Sequence, residues 1–497
     1  MSHGHAALGV STPQSTFYDT GRFGRLFPTL PPFASDTPFI RDALAELGSV
    51  KGLMNAGDDL SDPITLITDP AKSEHNPNNP AMTAGMTFLG QFLDHDMTFD
   101  PTSSLARRQD PESIRNFRIP ALDLDSVYGG GPACAPHLYD HTVDHGQTTM
   151  FTEEIPGSGN VSIGGRVRFD LPRNTQNVAL TGDPRNDENL VVSQIHLALL
   201  RFHNRVVDDV RADLGAGHTP GELFAEAQRV VRWHYQWIVV HEFLAKTVGQ
   251  ATVDDILTNG REHYRWRNDP FIPVEFSVGA YRFGHSQVRP SYRANFGTSA
   301  TDAHQQFFGL IFDSTLPDGN DPHDLRGGKR AARRFIDWQT FFDFGDGRAR
   351  PNKAIDSTLS SPLFQLMGQP QGEPISLATR NLLRNLTMKV PSGQNVAKAM
   401  SLPVLAPGDL DDLDAFHLQH RTPLWSYILR EAQVAEGGQR LGPVGGRIVA
   451  EVIIGLIQGD RTSYLRQDPD WVPTYGQSGS FTMVDLLRAA DVVATLP

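Results

Sequence analysis

Cysteine is almost missing: Cys134 is the one thiol in 497 residues. That excludes an intramolecular disulfide and any cysteine-ligated zinc or iron–sulfur site. It suits a reducing compartment, or export without disulfides. Long hydrophobic runs are missing too. The longest candidate, residues 449–457, is far too short to cross a bilayer. The N-terminus, Met1-Ser2-His3-Gly4-His5-Ala6-Ala7-Leu8-Gly9-Val10, has neither a basic segment nor a long apolar one. It predicts no cleavable signal peptide, and so a cytoplasmic protein or one exported without such a peptide. Positive charge is in deficit, 44 Lys and Arg against 57 Asp and Glu, for a net charge of −13. Nucleic acid and anionic membranes are therefore poor partners. No fixed-period repeat occurs.

What is present suits a large folded domain. Hydrophobic residues make up 39% and charged residues 20%, enough to bury a core and enclose a cofactor. The 45 Gly and 35 Pro predict many loops. Residues 1–80 hold turn formers such as Pro28, Pro31, Pro32 and Asn76-Pro77-Asn78-Asn79-Pro80. They predict an arm packed on the core, with a short helix near 40–47. Residues 81–497 are expected to form one large, mainly α domain with few short strands. The spacing of Met86, Leu89, Phe92, Leu93 and Met97 predicts a helix over 82–97. Long helices are expected over 190–214 and 221–248, a helical stretch over 274–283, and further helices over 376–388, 422–436 and 444–458. A hairpin is expected near 161–169, turning at Gly164-Gly165.

One string carries chemistry: Gly90-Gln91-Phe92-Leu93-Asp94-His95-Asp96. On a helix, Gln91 and His95 are four apart and share a face. Asp94 lies about 60° from Gln91 and can border the same cavity, while Asp96 points elsewhere. Histidine beside glutamine and a carboxylate suits proton transfer on a peroxide. The plain alternative is a solvated polar patch, but apolar flanks argue for burial, where polar groups need partners.

Phe88 to Asp96 resembles the distal-histidine motif of the animal haem peroxidases, within the peroxidase–cyclooxygenase superfamily. The resemblance implies that His95 is the distal acid–base residue and that Gln91 serves the distal water and halide site. It implies that Asp94 forms an ester with the haem and that Asp96 is a calcium ligand facing away from it. Asp183-Pro184-Arg185-Asn186-Asp187-Glu188-Asn189 resembles the family's Arg-x-x-Glu segment. Arg185 would be the distal arginine and Glu188 the second ester carboxylate. Asn189 stands where some members carry a methionine bonded to the haem, so no sulfonium link is expected. Ala280-Tyr281-Arg282-Phe283-Gly284-His285-Ser286 resembles the proximal segment, making His285 the iron ligand. Leu377 to Arg384 resembles Leu-x-x-x-Asn-x-x-Arg. There Asn381 would orient His285, and Arg384 would face a haem propionate. Past Arg384 the family's Arg-x-Arg-Asp-His-Gly string is absent, and residues 385–391 stand in its place.

Ile119 to Gly129 resembles the family's calcium loop. In extended chain alternate residues face one way, which would converge the Ala121 carbonyl with the carboxylates of Asp123 and Asp125. With Asp96 they make a hard-oxygen set suited to calcium. The resemblance therefore implies haem b, ester-linked through Asp94 and Glu188, and Ca²⁺. It implies a peroxidase that reduces H₂O₂ and oxidises a small donor: a phenol, a halide or thiocyanate. The family's halide-site glutamate has no obvious counterpart at Asp100-Pro101-Thr102. The rival enzyme is a fatty-acid dioxygenase using Tyr281. That tyrosine stands four residues before His285 rather than three, a rotation of about 100° on a helix. A haem-containing adhesion protein is a third possibility, but it would not need Gln91, His95 and Arg185.

Overall fold

Helix starts are written locally in this chain. Thr37 caps α1 (Pro38–Leu47) with its side chain on Ile40 N–H. α2 (Ala84–Met97) follows an extended stretch at residues 78–83. Asn189 caps α3 (Leu190–Leu214), its side-chain oxygen accepting from Val191 and Val192 N–H. Thr219 and Glu222 close a reciprocal capping box on α4 (Pro220–Ile238), satisfying donors that a helix start leaves open. α4 runs on through a wider π-type turn, Val239–Leu244. α5 (Leu377–Thr387), α6 (Leu424–Glu436) and α7 (Pro443–Gly459) are further core helices. The computed structural model describes residues 21–100, 105–106, 109–215, 217–266 and 268–496. His3, His5, Pro101 and Thr102 lie outside them.

One main hydrophobic core joins these helices. α3 packs along α4 and crosses α2, while α6 and α7 pack on each other. Phe33, Leu44, Leu47 and Met54 enter the same core, and α1 lies against α5. Among the described residues strands are few and short, paired as four two-stranded ribbons. The mainly α architecture expected from sequence is thus the one observed. No helix among the described residues is long and apolar enough to cross a membrane.

Three local expectations need correction. The hairpin near 161–169 is not a tight one. Glu153–Glu154 pairs with Phe169–Asp170, and the residues between form short 3₁₀ turns, with Gly164 and Gly165 both at φ +68°. Residues 274–283 are helical but not α: Glu275–Gly279 is a π-type turn and Ala280–His285 is 3₁₀. The segment from Ala121 to Asp125 is not extended. Leu124 takes a left-handed conformation (φ 62°, ψ 32°), and Asp125 opens a short helix, Asp125–Tyr128. That turn, not strand alternation, brings the acidic residues together.

Candidate active site

α2 buries Phe88, Leu89, Phe92 and Leu93 in the core, which turns Gln91, Asp94 and His95 toward a cavity of about 620 Å³. Gly90 is fixed by close approach, since a Cβ there would sit 3.1 Å from the Phe243 ring. His95 is 3% exposed. Its Nδ1 lies 2.9 Å from Asn186 Oδ1, and Asn186 Nδ2 lies 3.0 Å from His196 Nδ1. Burial pushes His196 down to about 3, so this imidazole is neutral and its Nδ1 can accept from the amide. In that arrangement Asn186 accepts from His95 Nδ1–H and leaves Nε2 as the basic nitrogen. Glu188 Oε1 lies 3.5 Å from His95 Nε2.

Gln91 is held on both sides, donating to Glu188 and accepting from Asn189 Nδ2 at 3.1 Å. Its side chain is thus committed to the Arg-x-x-Glu segment. Burial pushes the Asp94 carboxyl up, but Arg282, Arg185 and His95 outweigh that and hold it below the ordinary carboxylate value. Arg185 donates to Asp183 through Nε at 3.1 Å and Nη2 at 2.8 Å, and to the His95 carbonyl at 3.1 Å. It also donates to the Thr98 carbonyl, and its guanidinium lies 4.7 Å over the Phe99 ring. Asp183 is fully buried and is shared with Arg118, whose Nη2 approaches it at 2.7 Å.

His285 lines the same cavity from the 3₁₀ segment. Its Nδ1 lies 2.7 Å from Nδ2 of Asn381, on α5 and 96 residues away. Burial pushes this imidazole down to about 3, so it is neutral. Among the described residues no group bonds its Nε2. Where the family's Arg-x-Arg-Asp-His-Gly string is missing, Asn385 instead donates to the Val278 carbonyl at 2.6 Å, tying α5 to the proximal segment. Arg384 does not line the main cavity. It lines an adjoining one of about 150 Å³ with Arg185 and Arg282, and both of those arginines also line the large cavity.

Tyr281 also reaches the large cavity. Its hydroxyl donates to the Gly90 carbonyl at 3.1 Å, and its ring stacks on Phe276 at 4.8 Å. Burial pushes this phenol well above its usual value.

On the opposite face of α2, Asp96 meets Asp123 and Asp125, with ligand atoms within 4.8 Å of one another. Asp96 accepts from Ser126 Oγ at 2.9 Å, Leu124 N–H at 3.1 Å and Tyr235 OH at 3.2 Å. Asp125 Oδ1 accepts from Arg118, while its Oδ2 is buried without a partner. Burial raises all three carboxyls; repulsion within the cluster adds to this for Asp96, raised to about 7, and for Asp123, while Asp183 adds to it for Asp125 against the pull of Arg118.

Sequence reasoning passed over Asn186, His196, Asp183, Arg118 and Arg282. The signal for Asn186 lay inside the Arg-x-x-Glu segment itself, one residue after Arg185. Arg118 lay just before the acidic loop.

A family profile described as "Animal haem peroxidase" matches residues 110–315, which include Arg185, Glu188 and His285 but begin after α2. Chorion peroxidase of Drosophila melanogaster is 25% identical over 386 residues, 71% of this chain and 44% of that protein. A "Peroxidase-like protein" of Margaritifera margaritifera is 36% identical over 329 residues, 60% of this chain and 39% of its own length. Over residues 110–315 the chain is thus similar to animal haem peroxidases. It spans less than half the length of these two relatives. In fold it is similar to peroxidase A of Dictyostelium discoideum, with TM-score 0.58 and 16% identity, covering 94% of both chains. It is also similar to the fatty acid alpha-dioxygenase of Oryza sativa, with TM-score 0.57 and 15% identity over 86% of this chain and 73% of that one.

Proposed function

We propose that this chain belongs to the animal haem peroxidase superfamily and is a haem-dependent peroxidase that reduces H₂O₂ and oxidises a small donor. The observation that carries the proposal is a single cavity lined by two differently prepared histidines. One is held through Nδ1 with Nε2 open, and the other sits beside an arginine and two carboxylates.

The cavity suits a haem. His285 would ligate the iron through Nε2, which requires Nδ1 to carry its proton and the Asn381 carbonyl oxygen to face it. Phe283, Ile311, Phe312 and Leu363 offer apolar wall. Arg282 and Arg384, in the adjoining cavity, suit the propionates. Asp94 and Glu188 line the main cavity and are the carboxylates for ester links. When bound, haem b supplies the redox chemistry, and the protein supplies position and electrostatics. His95 Nε2 takes a proton from peroxide and returns it to the departing oxygen. Asn186 keeps that nitrogen available, and Arg185 stabilises the charge that develops. Gln91 holds Glu188 and Asn189 in register with α2.

The Asp96, Asp123 and Asp125 cluster suits Ca²⁺, a hard cation with oxygen ligands. The partnerless Asp125 Oδ2 and the mutual repulsion of buried carboxyls are what a cation would relieve. Such an ion would brace α2 directly behind His95.

The dioxygenase alternative rests on Tyr281 lining the cavity. A tyrosine that gives up a hydrogen atom needs a site for its proton, and the Gly90 carbonyl offers none. Packing explains Tyr281 better. The test is haem titration of the purified protein and of His285→Ala, followed by H₂O₂ consumption with a phenol. Oxygen uptake with linoleate in the absence of peroxide is measured alongside. Tight haem binding lost in the variant, peroxide consumption and no oxygen uptake support the proposal; oxygen uptake without peroxide overturns it.

A further inference from the structure

The helix that walls one side of the cavity carries an aromatic assembly on its other face. Phe243, in the π-type turn after α4, lines the cavity, and its ring centre is 6.4 Å from that of Tyr281. His241 stands two residues earlier in the same π-type turn, close to half a turn around the axis, and so faces away. Its ring stacks on Trp237 at 3.8 Å and 28°. Its Nε2 lies 3.1 Å from the hydroxyl of Tyr464. Trp471 completes the group, 6.0 Å from Trp237 and 5.8 Å from Tyr464. Trp237, His241 and Trp471 are half-buried, whereas Tyr464 is 1% exposed. The group therefore opens to solvent on one side. On the other side the thickness of one helix, about 10–12 Å with side chains, separates it from the cavity.

Ring packing alone would be satisfied by any acceptor for the Tyr464 hydroxyl. The acceptor here is an imidazole that can hold a proton. Burial lowers His241 below its usual value, so the ring is neutral, and in the tautomer protonated on Nδ1 its Nε2 accepts from the phenol. Tyr281, on the cavity side, has among the described residues only a backbone carbonyl as acceptor and lacks this property. The two half-buried indoles present π-faces of the kind on which an aromatic donor stacks.

We propose that Trp237, His241, Tyr464 and Trp471 form a second oxidation site, at the protein surface, for aromatic donors too large to enter the cavity. The proposal rests on the peroxidase function above, which supplies a peroxide-oxidised haem as the electron acceptor. Tyr464 passes one electron through the helix to that acceptor and its phenolic proton to His241 Nε2, becoming a neutral oxyl radical. A donor phenol stacked on Trp237 or Trp471 returns one electron, and His241 returns the proton, restoring Tyr464. The donor releases its own proton to solvent and leaves as a phenoxyl radical. Two such turns supply the two electrons that one peroxide consumes.

The test compares free tyramine with tyramine coupled to dextran, the same phenol with and without access to the cavity. The haem-loaded wild type, Tyr464→Phe and Trp471→Leu are each supplied with H₂O₂. We expect oxidation of the dextran conjugate to fall at least tenfold in both variants while free tyramine is oxidised at the wild-type rate. Rapid-freeze electron paramagnetic resonance after peroxide, without donor, should show a tyrosyl radical that Tyr464→Phe removes. Unchanged oxidation of the conjugate overturns the proposal. So does an equal fall for both donors, or a radical that survives Tyr464→Phe. Failure of the wild type to oxidise free tyramine would instead reject the peroxidase function beneath it.

Discussion

Replacing Asp183 by asparagine removes one charge and the shared anchor of two arginines. The carboxylate is fully buried. It accepts from Arg185 Nε and Nη2 at 3.1 and 2.8 Å and from Arg118 Nε at 3.0 Å. Burial pushes its carboxyl up, but Arg185 and Arg118 outweigh that and hold it well below the ordinary carboxylate range. A depressed carboxyl stabilises the fold above its unfolded pKa of about 3.9. That contribution is fully present at pH 7 and is lost as pH falls through the folded value. Removing one partner of a buried ion pair costs about 3–5 kcal/mol. Arg118 keeps Asp125 at 3.2 Å, and Arg185 keeps the carbonyls of His95 and Thr98. The loss should therefore sit near the lower end, about 3 kcal/mol, or roughly 150-fold in the folding constant. Urea unfolding of the haem-free protein at pH 7 measures it, and the gap between the two proteins should narrow below about pH 3.9. Peroxide reduction should also slow, by less than the roughly hundredfold expected for losing a charge-stabilising donor outright. A stability loss under about 1 kcal/mol, the range of surface pairs, would refute the shared-anchor argument.

Other outcomes follow from the same geometry. Asn381→Val leaves His285 Nδ1 unpartnered and should weaken haem binding about 10–100-fold, read by titration of the Soret band. Calcium should bind more tightly at pH 8 than at pH 6, because the Asp96 carboxyl, raised to about 7, must first lose its proton. The cation-free fold binds the extra protons and so loses stability as pH rises from about 4 toward 7, while added calcium restores it. Equal calcium affinities at the two pH values in a calorimetric titration would contradict that cluster. Tyr281→Phe should leave phenol oxidation within about twofold of wild type; complete loss of turnover would revive the dioxygenase alternative.

The segments that meet in the cavity were legible because each carries its chemistry in a short string. Gln91, Asp94 and His95 share a helix face through the 3.6-residue period alone. Asn381 was placed by resemblance to the family's Leu-x-x-x-Asn-x-x-Arg segment, on a helix that the apolar pattern also marked, and the structure sets it against His285. What escaped was set by contacts between distant parts of the chain or by unusual backbone. Asn186 gains its meaning from His95 and His196, 91 residues before it and 10 after it. The left-handed turn at Leu124 has no sequence signal, since leucine rarely adopts it, and without it the acidic loop was drawn as a strand. The π-type turns at 239–244 and 275–279 follow from packing rather than from local propensity. Arg384 was assigned to a haem propionate by resemblance; the partition of the site into a large and a small cavity, both lined by Arg185 and Arg282, had no sequence signal.

The central claim is that His95 Nε2 handles the peroxide proton in a cavity where His285 holds the haem. Stopped-flow absorption of the haem-loaded protein mixed with H₂O₂, wild type against His95→Ala, tests it most directly. The account predicts a rate of peroxide-induced Soret change lower by about 10²–10⁴ in the variant, with haem affinity unchanged. A His95→Ala protein that reacts with peroxide at the wild-type rate would contradict it.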